Sequence, residues 1–293
     1  METKSVAIVT DTYSGITKHD ITGSNIYILE LPVLLNGEPK DDIESISFSK
    51  FDKYLSEGVK ISVGEQSQNS IKELWHNLIK IKQYDYILHI TYSSELDNMY
   101  ETCVELSKYF DGKVYVVNSR RISVAQRSMV HWAKKMLKNE MPVEQVASIL
   151  NEGANEYSLY FMSSNPKYIK KNCKLCMTKG AKDVLSYARP VFELKNGVID
   201  IKKRSNSFKG SVKILIKSIE HDLKTRFKKL VDNNELEIFI AYSCEIEDSI
   251  NLKEYFVRKH PDINVCYTDQ LPVALCAQLG LGVLMIGCSK IFR

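Results

Sequence analysis

Asp85-Tyr86-Ile87-Leu88-His89-Ile90-Thr91-Tyr92-Ser93-Ser94-Glu95-Leu96-Asp97-Asn98-Met99-Tyr100 runs from a β-rich apolar segment directly into a helical pattern. Its first part predicts a strand over 85–90. Leu96, Met99, Tyr100, Cys103, Val104 and Leu106 then recur at helical spacing and predict a helix from about 95 to 110. Ser93 and Ser94 stand at the junction, so one of them is the expected N-cap. The N–H groups of a first helical turn have no intrahelical partners, and the helix dipole is positive there. Such a corner can hold a carboxylate or phosphate. An ordinary serine cap that binds nothing fits the same residues.

Upstream, Val6-Ala7-Ile8-Val9 predicts a strand ending in Thr10-Asp11-Thr12, β-rich pieces surround Pro32, and Asn36-Gly37 signals a tight turn. Helical patterns cover 47–57 and 69–82, with a loop over 61–68 between them. Downstream come a strand at 114–117 and a helix over about 120–138. Strands alternating with helices imply a mainly parallel, doubly wound sheet, whose ligands sit beyond the carboxyl ends of the strands. Asp11, Ser93-Ser94 and Asn118-Ser119 then share one rim. Pro142 opens a further helix to about 155. Beyond it, strands are expected at 157–163, 236–242, 263–268 and 283–287, a hairpin at 184–194 and 198–204 around Asn196-Gly197, and helices at 166–171, 207–230, 247–259 and 272–279. The chain thus reads as a two-lobed α/β protein. An N-terminal α/β domain spans 1–155, a C-terminal mixed α/β domain spans 156–293, and a ligand cleft lies between them.

Composition narrows the classes. Of 293 residues, 44% are hydrophobic and 26% charged, as in globular proteins, and no apolar run is long enough to span a membrane. Seven cysteines scattered through apolar segments, without a leader sequence, suggest reduced thiols and a cytoplasmic location. The net charge of +4 is unevenly spread: residues 160–230 carry 18 Lys and Arg against 5 Asp and Glu. That region could face nucleic acid, an anionic membrane surface as a peripheral contact, a phosphate ligand, an acidic protein partner, or solvent. It lacks the interleaved aromatics and zinc-finger spacings of a nucleic-acid binder.

Catalytic and metal signatures are sparse. Cys173-Lys174-Leu175-Cys176 is a single C-x-x-C with no second ligand pair, which leaves a metal or redox centre weakly supported. No phosphate loop, dinucleotide fingerprint or nucleophile elbow occurs. His89, inside an apolar strand, is expected to be a core histidine with its hydrogen bonds met. No catalytic residue, metal or cofactor is assigned.

In order along nearly the whole chain, these landmarks resemble the DegV family, which includes the fatty-acid-binding subunits of bacterial fatty acid kinase. Ile8-Val9-Thr10-Asp11-Thr12 is similar to the family's opening I-V-T-D-S, and Leu31-Pro32-Val33 to its L-P-L. Ser93 to Tyr100 matches S-S-x-L-S-G-T-Y at both serines, Leu96 and Tyr100, but lacks S-G-T. Val117-Asn118-Ser119 parallels a strand ending in D-S. The stretch from Tyr168 to Leu175 parallels L-x-x-L-x-K-G-G-R-I with Lys174 in the arginine's place, and Ala188-Arg189-Pro190 stands for I-K-P.

The resemblance implies a protein that buries one long-chain fatty acid. In the family a Thr from a T-S-Q-P-S loop and a Ser from the S-S motif hold the carboxylate, with an Arg and a C-terminal His near the headgroup. Residue by residue, Ser93 or Ser94 keeps the carboxylate role. The T-S-Q-P-S loop falls on Val63-Gly64-Glu65-Gln66-Ser67, or Ser62 replaces the Thr after a one-residue insertion. Gln278 takes the place of the His. With Asp11 from the strand-end rim, the candidate lipid-binding set is Asp11, Ser62, Ser93, Ser94, Lys174 and Gln278. The implied function is non-catalytic fatty acid binding, with presentation to a fatty acid kinase subunit as partner. A diverged paralogue acting through protein contacts and a small-molecule phosphotransfer enzyme are the alternatives.

Overall fold

The computed structural model describes residues 4–40, 46–175, 177–180 and 189–292. Its first sheet is wholly parallel: β1 (Val6–Asp11), β2 (Ile26–Leu29), β6 (Tyr86–Thr91) and β7 (Val114–Asn118), in the order β2-β1-β6-β7. Side chains alternate between faces along a strand. Ala7, Val9 and Ile87 therefore enter one core, and Val6, Ile8, Leu88 and Ile90 the other. Both faces are covered, which explains near-continuous apolar runs rather than alternation.

Helix α1 (Lys18–Ile21) is a single turn, and α2 (Phe48–Ser56) buries Phe51 behind a Ser47 cap. α3 (Gln68–His76) continues through a π-turn at Asn77–Ile81. With α4 (Met99–Ser107) it covers one face of the sheet, through Ile71, Trp75, Cys103 and Leu106. α5 (Ser123–Lys138) and α6 (Val143–Glu152) cover the other, through Met129, Val130, Ala133, Val146 and Leu150.

A small antiparallel sheet lies alongside, made of β3 (Val33–Leu35), β4 (Glu38–Pro39) and β5 (Ile61–Val63) in the order β4-β3-β5. Asn36 and Gly37, with φ of 53° and 93°, make the tight turn that the sequence signals. The loop expected over 61–68 is corrected here. Ile61 and Val63 both point into the core while pairing with β3, so three residues suffice for a strand.

The second sheet is mixed and takes the order β10-β9-β8-β13-β11-β12. Its strands are β8 (Tyr157–Ser163), β9 (Arg189–Lys195), β10 (Val198–Ser205), β11 (Leu236–Tyr242), β12 (Asn264–Gln270) and β13 (Val283–Lys290). Of these strands, only β11 and β12 pair in parallel. At its centre, a Cβ on Gly287 would sit 2.3 Å from the Phe239 ring and 2.5 Å from the Ser158 carbonyl, so no side chain fits there. α7 (Pro166–Asn172) follows β8. α8 (Phe208–Lys224), α9 (Lys228–Asp232) and α10 (Ile246–Lys259) lie on the outer side, where Leu215, Ile219, Leu252 and Phe256 pack. The expected helix over 207–230 breaks at Thr225, whose φ and ψ of −119° and −84° leave the helical region. α11 (Val273–Leu279) is buried along its whole length and shares one core with Tyr13, Val63 and Leu96 from the first half.

One further expectation changes. His89 is fully buried, but its hydrogen bonds are not all met. Nδ1 lies 3.6 Å from Cys103 Sγ, and Nε2 has no partner among the described residues. Burial lowers its pKa to about 3, so the ring is neutral, packed edge-on to Trp75. Cys176 and residues 184–188 lie outside the described residues, and with them half of the C-x-x-C and the start of the hairpin at 184–204.

Candidate functional site

Beyond the carboxyl ends of β1 and β6 opens a cavity of about 830 Å³. Its apolar wall includes Leu31, Val63, Leu96, Met99 and Leu175. Tyr13, Tyr92, Ser94 and Gln278 stand among its polar groups. A second cavity, of about 710 Å³ by Lys4, Asn25 and Met141, lies at the amino ends of the same strands, where this topology places no ligand.

Asp11 organises the floor without reaching the cavity. Its carboxylate accepts the Tyr13 N–H at 3.0 Å, the Tyr92 N–H at 3.1 Å and Gln126 Nε2 at 2.8 Å, all fully buried. Burial raises its pKa to about 7 against the lowering effect of those donors. Asp11 thereby fixes the two residues whose rings meet edge-on, with Tyr13 and Tyr92 centroids 5.0 Å apart. The Tyr13 hydroxyl accepts Gln278 Nε2 at 3.0 Å, and Gln278 Oε1 accepts the Lys174 N–H at 2.6 Å. Lys174 Nζ donates to the Val63 carbonyl at 3.1 Å. One chain of contacts thus joins β1, α11, the segment after α7 and β5 around the cavity.

The two serines divide. Ser93 is buried, its hydroxyl donating to the Gly197 carbonyl at 2.9 Å and accepting the Glu95 N–H at 3.3 Å. Gly197, with φ of +85°, belongs to the hairpin turn of β9 and β10. A Cβ there would meet Ser93 Oγ at 2.3 Å. Ser94 lines the cavity, and its hydroxyl accepts Asn118 Nδ2 at 2.6 Å. Neither serine is the N-cap that the sequence leads one to expect. Leu96 N–H closes a turn onto the Ser93 carbonyl, α4 starts only at Met99, and the residue before it, Asn98, makes no side-chain cap. Ser93 Oγ accepts the Glu95 N–H in the turn that precedes α4, and neither serine caps α4 itself.

Of the six candidates, Ser94, Lys174 and Gln278 come together on the cavity. Ser93 and Asp11 lie just beneath its wall. Ser62 alternates to the face of β5 opposite Val63 and is not among the lining residues. Tyr13 and Tyr92 went unnoticed in the sequence, although Tyr92 directly follows the end of β6 and Tyr13 stands two residues beyond the end of β1. Glu65, Glu95, Asp97 and Glu101 also line the cavity. Among the described residues, no group of three or more His, Cys, Asp and Glu is placed to hold a metal ion, and no helix is long and apolar enough to cross a membrane.

A family model for the uncharacterised DegV proteins matches residues 5–290. A DegV domain-containing protein of Clostridium perfringens is 25% identical over 291 residues, covering 97% of each chain. A fatty acid-binding protein of Thermotoga maritima is 27% identical over 215 residues, 72% of this chain and 73% of that one. The structure of a DegV family protein from Thermus thermophilus, described as fatty acid binding, superposes with a TM-score of 0.85 at 18% identity. It covers 98% of this chain and 99% of that one.

Proposed function

The chain belongs to the DegV family, and on that premise we propose that it is a non-catalytic carrier of a long-chain fatty acid or similar single-chain amphiphile, held in the cavity beyond β1 and β6. The observation that carries this reading is a cavity of about 830 Å³ whose apolar wall lies beside a polar end at Ser94, Lys174 and Gln278. It is supported by relatives that are themselves described as fatty acid-binding. Each buried methylene of an acyl chain contributes about 0.8 kcal/mol, so the tail outweighs any single headgroup contact. Ser94 and Lys174 supply donors for the head, with Ser93 and Asp11 holding the corner in shape.

The test is native mass spectrometry of protein purified from a lipid-containing host, then denaturing extraction. A stoichiometric single-chain acyl lipid that is lost when Leu96 or Leu175 is changed to Asp supports the carrier. A mass that stays apo after incubation with C14 to C18 lipids removes it.

The basic region supports a second element, docking of an acidic partner such as a kinase subunit. Lys209, Lys213 and Lys217 lie along α8 without an ion pair among the described residues. Lys213, Lys217, Lys224 and Lys259 border a groove of about 560 Å³ between α8 and α10. Binding to such a partner that weakens steeply with salt is expected, and salt-independent binding argues against it.

A further inference from the structure

Five large apolar side chains stand exposed among the described residues, and three of them share one flank of one helix. They are Ile246, Ile250 and Val257 of α10, which are 50%, 42% and 47% exposed. This helix buries Ser249, Leu252 and Phe256 and packs on β11 and β12. Tyr255 and Lys259 face α8 across the basic groove. At about 3.6 residues per turn, the apolar flank lies roughly half a turn from those two. It therefore points away from the middle of the sheet and past β12, beyond which no further strand follows among the described residues.

The two edges of this sheet differ. β10, at one end, carries Lys202, Lys203 and Arg204, and such charges keep other strands away. β12, at the other end, has no lysine, arginine or proline. Its one acid, Asp269, is held by Arg127, and its pairing with β11 is irregular only at a bulge at Cys266. An apolar helix flank and an unguarded strand edge thus form one surface.

We propose that this surface joins two copies of the chain about a two-fold axis, with β12 edge to edge and α10 packed antiparallel on its counterpart. Neighbouring strands lie about 4.8 Å apart. α10 straddles β11 and β12, so the axis runs about one strand spacing away from it. The two helices then lie about 10 Å apart, at the distance where helices pack. Charge fits as well, since a two-fold contact needs a surface complementary to itself. Glu247 stands in the first turn of α10, with Lys253 and Arg258 in its second half. None of these three has an ion-pair partner among the described residues. Antiparallel pairing sets Ile246 against Val257 of the second copy and Glu247 between its Lys253 and Arg258. The contact uses none of the residues lining the cavity beyond β1 and β6, and it is independent of the lipid reading.

The test is sedimentation velocity of the full chain over a concentration series, with flotation on dioleoylphosphatidylglycerol vesicles beside it. A dimer with a Kd of about 1–10 µM is expected. Ile250→Glu, at a half-exposed position, should raise that Kd about a hundredfold with an unchanged circular dichroism spectrum. Ile246 and Val257 lie about 16 Å apart along one helix, so neither position can reach its own equivalent across the axis through a disulfide. Oxidation should therefore link two chains in Ile246→Cys/Val257→Cys, above the level given by the native cysteines, and in neither single variant. A dimer that survives Ile250→Glu, or that crosslinks through either single cysteine, overturns this contact. So does a chain that stays monomeric throughout the series, and one that floats with vesicles through this flank shows a lipid surface to be the occupant instead.

Discussion

Replacing Ser93 and Ser94 one at a time separates two roles that adjacent, chemically identical residues hide. Ser93→Ala removes a fully buried hydroxyl, leaving the Gly197 carbonyl and the Glu95 N–H without their partner. An unsatisfied buried group costs about 1–3 kcal/mol. Two such groups, one of them nearer solvent, set the loss at about 2–4 kcal/mol. Ser94→Ala removes an acceptor from Asn118, whose part-buried side chain keeps its bonds to the Ser94 and Arg120 N–H groups, for a loss of about 1 kcal/mol or less. Urea unfolding followed by far-UV circular dichroism reads both values from the shift in midpoint at constant slope. Lipid affinity should move the other way, falling for Ser94→Ala and holding for Ser93→Ala under conditions where the latter is folded. A cycle with Gly197→Ala adds a check. Once the Cβ at 2.3 Å has displaced the hydroxyl, the further loss on Ser93→Ala should shrink below 1 kcal/mol. Equal stability losses for the two serines, or a strictly additive cycle, would refute the assignment of Ser93 to the hairpin.

Three further outcomes follow from buried groups. Asp11 keeps its proton in the folded chain up to about pH 7 but releases it near 3.8 when unfolded. The contribution of Asp11 to stability should therefore be full below about pH 4 and decline as pH rises towards 7, by up to about 1.4 kcal/mol per pH unit, so that urea titrations of Asp11→Asn and of the unaltered chain should differ by that slope across pH 4–8. Arg127 bonds Asp269 at 2.7 Å and Asp20 at 3.0 Å over the Tyr267 ring. Arg127→Ala should cost about 2–4 kcal/mol, and Arg127→Lys should recover less than half, because an ammonium cannot span both carboxylates with a planar fork. Gly287→Ala should cost about 3 kcal/mol or more, measured as loss of soluble folded protein or of urea midpoint, since the contacts at 2.3 Å and 2.5 Å include backbone.

The elements most legible in the sequence are those whose environment is uniform along their length. β8 and β11 are apolar at nearly every position because both faces are covered, and their expected and observed limits coincide at 157–163 and 236–242. β5 escaped because three residues show no period, and its pairing with β3 is written 26 or more residues upstream. At the site, the convergence of strand ends could be read from the order of strands and helices. What each hydroxyl does could not. Ser93 is claimed by a glycine carbonyl 104 residues later, and Ser62 is turned away by the simple alternation of a strand that was not foreseen. The charge of the cavity was likewise hidden, since Glu65, Asp97 and Glu101 are ordinary surface residues until folding puts them around one opening.

The place of β13 bears on how the molecule is made. It lies between β8 and β11, pairing with both along their lengths, so those two strands share no hydrogen bond. A chain emerging from the ribosome can pair β8 with β9 and β10, and later β11 with β12. The two half-sheets stay apart until residues 283–290 are delivered. Until then the edges of β8 and β11 are open, apolar on both sides and available to any other strand. Such late, long-range closure is slow. The interval before β13 inserts is when this protein is most exposed to aggregation, and a synthesis block just before residue 283 should leave a nascent chain that chaperones hold.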